Sequence, residues 1–207
     1  MTTAGLHWIA ALDRVTQDLS NTWPQLTSGL YQCLNDRAQG TEAARRTLLA
    51  TAKLVGLLPQ DTSQAKLALQ HLKYSQAEIN LVITLMRIWV QVAPRLRVTP
   101  LTVREQYGLF QELGPAFPAF AGLAIAAEIP KAHVTPLIVE YLKPESVIAH
   151  PRALVSGKTL MSELKLKPGP AIGQLLATLA LAQAEGQITT PAEALTLAQT
   201  LSMKDAE

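Results

Sequence analysis

The sequence predicts an all-α protein. Apolar residues recur at helical spacing along most of the chain, no segment shows the apolar–polar alternation of a strand, and capping patterns precede several of the periodic runs. Hydrophobic residues fill 48% of the 207 positions and charged residues only 16%, so the chain can bury a real core and lacks the composition of a disordered segment.

Leu6–Leu19 and Thr41–Leu58 read as the first helices, and Pro59-Gln60-Asp61-Thr62-Ser63 as a turn. Gln64–Tyr74 follows as a helix with Ala65, Leu69 and Leu72 inward. Ile79, Val82, Ile83, Met86 and Val90 then fall at i, i+3, i+4, i+7 and i+11, one face of a helix. Ser75 and Glu78 form the capping-box pattern ahead of that run, and Pro94 is expected to end it. Thr99-Pro100 marks the next helix start, and Gly114-Pro115 its stop after Leu113. Ala119–Glu128 is a short apolar helix closed by Pro130, and Pro136–Leu142 one more.

The texture changes near residue 143. Lys143-Pro144-Glu145-Ser146 and His150-Pro151 form a polar connector, so the expected division is a helical body over 1–142 and a small helical tail module over 143–207. In the tail, Ser156–Leu166 is a helix and Lys167-Pro168-Gly169-Pro170 a turn. The helix after it runs to Ala184, with Pro170 in its first turn and Gly186 at its stop. Thr190-Pro191-Ala192-Glu193 is a second capping box, opening the last helix.

Composition limits the function classes. The net charge of +2 is too small to announce nucleic-acid binding, so any basic footprint must be local. The single cysteine, Cys33, reads as a small apolar residue on a helix. No basic segment followed by a long apolar run occupies Met1 to Leu12, so no signal peptide is expected. The most apolar stretches, Ile79–Ala93 and Ala116–Ile129, are shorter than the roughly 20 residues of a membrane span. A cytoplasmic protein with no membrane partner is the expectation.

Four patterns mimic chemistry. Ser156-Gly157-Lys158-Thr159 looks like the end of a phosphate-binding loop, but Arg152 stands where that loop needs a glycine; Ser156 reads instead as a helix cap. His7, His71, His133 and His150 are widely spaced and lack partners at metal-ligand spacing, so no metal site is expected. Asp205-Ala206-Glu207 has the form of a carboxylate pair for two-metal transfer, yet sits in the chain's last residues, where a frayed tail is the plainer reading. Serines and threonines abound without a nucleophile-elbow glycine pattern. No catalytic residue is assigned.

Two basic stretches remain. Arg87, Arg95, Arg97 and Arg104 occur with no acid between residues 87 and 104. Arg152, Lys158, Lys165 and Lys167, with Lys143, outnumber Glu145 and Glu163 in the second. Each stretch fits a contact to an RNA backbone, and each fits an ordinary solvated face. Trp89, Tyr107, Phe110, Phe117 and Phe120 have apolar neighbours and are expected in the core rather than under bases.

The run from Val155 through Ser156-Gly157-Lys158-Thr159-Leu160-Met161 and Pro168-Gly169-Pro170 to Ile172-Gly173 resembles the C-terminal module of bacterial tRNA nucleotidyltransferases. That family shows an SGKDLM-x-x-L-x-L-x-PGP-x-IG pattern there; Thr159 stands where it often has aspartate. Ala182-Gln183, Gly186, Ile188, Thr190 and Glu193-Ala194-Leu195 are similar to the family's ending, and this match covers roughly fifty residues. Leu72-Lys73-Tyr74-Ser75 with Glu78 resembles the family's helical body, as do Arg104-Glu105-Gln106-Tyr107 with Leu109-Phe110, and Gly114 with Phe117-Pro118.

The resemblance implies the body and tail of a CCA-adding enzyme or poly(A) polymerase relative, which hold the tRNA acceptor arm while a separate head adds nucleotides to the 3′ end. Some relatives carry a metal-binding His-Asp doublet in the body; Leu57-Leu58-Pro59-Gln60 occupies the comparable place, so phosphohydrolase activity is expected to be absent. The head's Gly-Ser start and D-x-D pair are not found in the chain. The resemblance therefore implies no cofactor for this chain, with Mg²⁺ and CTP or ATP belonging to the head. A fragment separated from that head is the expectation, with a natural stand-alone relative as the other reading. The implied partners are the tRNA acceptor arm and the chain's own head; the alternative role is a structural or homodimer module, with Leu175, Leu176 and Leu179 facing a partner helix.

Overall fold

The computed structural model describes residues 3–32 and 46–204, all turns and helices without a strand among them. Cys33 and the Asp205-Ala206-Glu207 motif lie outside the described residues. The chain divides into two compact units, one of residues 1–101 and 111–142, the other of residues 102–110 and 143–207. The second unit thus takes in a stretch that the sequence assigns to the body.

The first unit is built around one helix, α7 (Phe117–Ala126). Its residues from Phe117 to Ala124 are all buried, because the segment is apolar all round rather than on one face. Five other helices pack on it: α1 (Thr3–Thr22), α2 (Pro24–Leu30), α3 (Leu48–Val55), α5 (Gln76–Val98) and α8 (Lys131–Leu142). Small residues let them approach closely; a Cβ on Gly29 of α2 would stand 2.8 Å from the Pro118 ring. Trp8, Trp89 and Phe120 form an aromatic chain with ring centroids 6.3 and 5.9 Å apart. Phe117 and Phe120 are fully buried and Trp89 half-buried; in the second unit Phe110 is fully buried and Tyr107 half-buried, all in keeping with a core role.

Helix α1 buries Leu12, Thr16 and Leu19, one helical face. Helix α2 is not legible in the sequence: at seven residues it is too short for a period, although Pro24 at its first position is a usable signal. Thr47 starts α3 by accepting the Ala50 N–H at 3.2 Å. Asp61 does the same for α4 (Thr62–His71) through Gln64 N–H at 2.8 Å, two residues before the expected start. Leu72, expected inward, is 58% exposed. The helix unwinds there, Lys73 enters the left-handed region at φ 60°, and Tyr74 N–H closes back on Leu69 O at 3.0 Å.

The capping box of Ser75 and Glu78 forms as expected. Pro94 does not end α5, which continues to Val98. The proline removes only the N–H that would bond to the Val90 carbonyl, and both residues lie on the solvent side, where water can take its place. The inner face runs through Val82, Met86, Ala93 and Leu96, leaving Val90 at 57% exposure rather than inside. The stop comes at Thr99, whose φ −148° and ψ 149° are the extended values imposed by the following proline. Thr99-Pro100 therefore ends α5. Helix α6 (Val103–Leu113) begins at its own capping box, in which Glu105 accepts Thr102 N–H at 2.8 Å and Thr102 Oγ1 accepts Glu105 N–H at 3.4 Å. It stops at Gly114 as expected, and Gly114–Ala116 forms a single 3₁₀ turn into α7. Helix α8 begins at Lys131, with Pro136 inside it rather than at its start.

As a continuous 23-residue helix with mean hydropathy 1.2 over an 18-residue window, α5 reaches membrane-spanning length, and so does the apolar run Val103–Ala126. This corrects the expectation for Ile79–Ala93, which lies within the longer α5; Ala116–Ile129 holds only the ten-residue α7. The second run is two helices joined by the 3₁₀ turn, and the inner face of α5 is covered by α3, α4 and α7.

In the second unit, the hydroxyl of buried Ser146 accepts the N–H groups of Ile148 and Ala149 at 3.2 and 2.8 Å and shapes the connector. Helices α9 (Gly157–Leu164), α10 (Pro170–Ala184) and α11 (Pro191–Lys204) enclose Val155, Leu160, Leu179, Ile188, Ala194 and Ala198. Leu175 and Leu176 pack against the same core. Gly186 takes φ +73° at the end of α10, the conformation a helix stop demands.

A steric test follows from the first unit. Gly56 has an ordinary φ of −82°, so only space forbids a side chain, and a Cβ there would stand 1.8 Å from Trp8 Cδ1. Gly56→Ala is expected to destabilise the protein by about 1–3 kcal/mol, read as a lower urea midpoint. Adding Trp8→Phe should recover part of that stability.

Candidate nucleic-acid interface

The structure separates the eight basic candidates by unit and by pairing. Arg87, Arg95 and Arg97 lie on α5 in the first unit; Arg104, Arg152, Lys158, Lys165 and Lys167 lie in the second. The arginines grouped in sequence are therefore divided between the two units.

Arg87, Arg104 and Arg152 are in ion pairs. Arg87 binds Glu112 of α6. Arg104 forms a two-pronged pair with Glu185, Nε to Oε1 at 2.7 Å and Nη2 to Oε2 at 3.3 Å, tying the start of α6 to the end of α10. The hydrogen bonds and charge of Arg104 hold the Glu185 carboxyl below its usual range, and Arg104 is raised in return. Arg152 contacts Glu145 at 3.1 Å with both side chains about three-quarters exposed. Such exposed pairs contribute roughly 0–1 kcal/mol and yield readily to a phosphate.

Arg97, Lys158, Lys165 and Lys167 are exposed and make no ion pair among the described residues. Arg95 and Arg97 sit in the last turn of α5, where cations favour the helix dipole. Lys158 is in the first turn of α9. Lys165 caps that helix at φ 53° and ψ 34°, a left-handed position that glycine fills with less strain. Lys167 follows two residues later, in the turn before α10. The start of α9 is not a phosphate loop: Ser156 Oγ accepts Thr159 N–H at 3.0 Å and caps the helix.

Two clusters escape a sequence reading because their partners are distant or unmotivated by pattern. Arg46 lies 3.8 Å above the Tyr74 ring and donates to Glu78 Oε1 at 3.2 Å. The same carboxylate accepts the Ser75 N–H and hydroxyl, each at 2.7 Å. Burial alone would raise the Glu78 carboxyl, but the Ser75 hydrogen bonds and then Arg46 outweigh it, and the group titrates below the ordinary glutamate range. The second is His133, whose Nδ1–H donates to the Leu96 carbonyl at 2.7 Å and joins α8 to the end of α5. Among the described residues, no group of three or more histidine, cysteine or acidic side chains could hold a metal ion.

By fold and surface, this is an all-helical protein of two units with exposed cations gathered in short stretches. The chain belongs to the tRNA nucleotidyltransferase domain 2 family, which it matches over residues 45–198. It is 38% identical over 200 residues to a CC-adding tRNA nucleotidyltransferase of Synechocystis sp., an alignment covering 96% of this chain and 45% of that protein. The chain thus spans under half the length of that relative. It is 47% identical over 51 residues, 25% of the chain and 12% of the relative, to an A-adding tRNA nucleotidyltransferase of Deinococcus radiodurans. No solved structure matches the chain significantly.

The Glu78 cluster makes a pH prediction. Its folded pKa lies below the unfolded value, so its contribution is complete above about pH 4.3 and disappears as pH falls through the folded value. Glu78→Gln should cost about 1–2 kcal/mol at pH 7. In urea titrations the gap from the parent should narrow in acid; a gap independent of pH would exclude the ionised carboxylate as its source.

Proposed function

We propose that this chain is the tRNA-holding half of a tRNA nucleotidyltransferase, without catalytic residues of its own. The body is 1–142 and the tail 143–207; they grip the acceptor arm while a separate head adds nucleotides to the 3′ end. The observation that carries the reading is the family match over most of the chain.

Physical chemistry supports the role. A duplex acceptor stem is recognised by its shape and phosphates rather than its base edges. That needs cations held on a stiff frame and open to the backbone. Lys158, Lys165 and Lys167 meet that need first: they are exposed, make no ion pair among the described residues, and flank a short capped helix with its own core. Arg152 joins them, its exposed pair with Glu145 being easily exchanged for a phosphate. Arg97, exposed and without an ion pair among the described residues, leads the second contact region, with Arg95 in the same turn of α5. Arg87 and Arg104 come last, being held by Glu112 and Glu185. The leucines that a dimer would require, Leu175, Leu176 and Leu179, already pack within the tail, which disfavours that alternative. In this reading the chain needs no cofactor; Mg²⁺ and CTP or ATP serve the head, and the site of action is the cytoplasm.

Gel-shift titration of the chain with tRNA tests this. Lys158→Ala, Lys165→Ala and Lys167→Ala together should weaken binding and lower the salt slope by about one for each phosphate left without its cation. Lys165→Gly should weaken binding while raising stability by up to ~1 kcal/mol. Unchanged affinity at low salt for the triple variant would remove the tail from the RNA-binding surface.

A further inference from the structure

The first unit carries a cleft that neither its core packing nor the basic stretches explain. It lies between α1 and α8, with a volume of about 240 Å³, just under the roughly 300 Å³ at which small-molecule sites begin. Its floor is aliphatic: Leu19 from α1, and Val134 and Ile138 from α8, all buried. Its rims are polar, and they are built alike. Asp18 and Thr22 stand one turn apart on α1, and Lys131 and Thr135 one turn apart on α8. The indole of Trp23, half-buried at the joint of α1 and α2, completes the wall.

The charges are the informative feature. Asp18 and Lys131 line the same cleft from different helices yet do not close an ion pair, and neither has another charged partner among the described residues. The hydroxyl of Thr22 turns back to the Asp18 carbonyl at 3.2 Å, leaving the Asp18 carboxylate open as an acceptor. A cleft with an ammonium, a separate carboxylate, an indole face and a dry floor suits a ligand with three matching parts. These are an anionic group, hydroxyls that donate hydrogen bonds, and a flat ring. Lysine takes phosphate as a point charge, a carboxylate accepts ribose hydroxyls, and an indole stacks on any base.

We propose that this cleft binds one nucleoside monophosphate unit. Lys131 and Thr135 meet the phosphate, Asp18 accepts from the ribose hydroxyls, and Trp23 lies against the base. The unit can come from a free nucleotide or from the unstacked end of an RNA strand, since both present the same groups. This inference rests on the cleft alone and does not depend on the duplex-binding role of the tail.

The test is a titration of the full chain, labelled with ¹⁵N, with CMP and AMP, followed through the three tryptophan indole N–H signals. Trp23 should shift and saturate, while Trp8 and Trp89, packed on each other in the aromatic chain, stay fixed. Lys131→Ala should weaken binding about tenfold or more, as removal of a charge-assisted hydrogen bond does, and Asp18→Ala should weaken it less. Both positions are exposed, so an unchanged melting temperature will show that the variants fold. Ribose 5-phosphate and the bare nucleosides should bind more weakly than the nucleotides. A tetranucleotide RNA binding more tightly than CMP assigns the cleft to an RNA end, and the reverse order to a free nucleotide. No saturating shift of Trp23 with either, equal binding by Lys131→Ala, or ribose 5-phosphate binding as well as CMP overturns the proposal.

Discussion

The burial of α7 on every side is the constraint on which the first unit depends. A helix apolar all round must be enclosed, and one partner helix covers only one side of it. Five helices are therefore drawn around Phe117–Ala126. Within α7 the large rings, Phe117 and Phe120, fill space, while Ala119, Ala121, Gly122 and Ala124 allow close approach. The aromatic chain through Trp89 to Trp8 carries this packing outward to Gly56, at the end of α3. The outer faces of the surrounding helices are then free of any packing task, and the exposed cations of α5 lie there.

The second unit solves a smaller problem. The cluster enclosed by α9, α10 and α11 is aliphatic and small, so these three helices lean on their caps as well as on burial. Ser156, Thr190 with Glu193, and the left-handed Lys165 define where α9 and α11 begin and where α9 ends. Arg104 belongs to this framework, fixing the start of α6 to the end of α10 within the unit. Lys158, Lys165 and Lys167 contribute nothing comparable to the packing. In the proposed reading they are surface charge on a stiff support, which is what a phosphate backbone requires.

Much of the fold is legible in the sequence because local chemistry sets it. The capping boxes at Ser75–Glu78 and Thr190–Glu193, and the stops at Gly114 and Gly186, act over one turn and depend on little else. Proline misleads twice. Pro94 and Pro136 each remove one hydrogen bond, but in α5 and α8 tertiary packing outweighs that cost, and sequence does not reveal which prolines face solvent. Leu72 fits the helical period yet lies outside, because the backbone turns left-handed at the next residue. The basic candidates are legible as charges only. Their division into paired and open groups depends on Glu112 and Glu185, the latter 81 residues from its arginine, and no spacing rule reaches that far. The same holds for Arg46 on Glu78 and for the facing rims of the α1–α8 cleft. The family resemblance found in the tail and body extends over residues 45–198.

The most direct measurement is the salt dependence of the chain's binding to a hairpin RNA copying a tRNA acceptor arm, beside a DNA hairpin of the same sequence. If the chain holds the arm by its phosphates and its A-form shape, it will prefer the RNA, and log K will fall linearly with log salt. The expected slope is at least about 3 in magnitude, from four or so cation–phosphate contacts. Equal affinity for both hairpins would contradict recognition by duplex shape, and absence of binding at low salt would contradict a tRNA-holding role altogether.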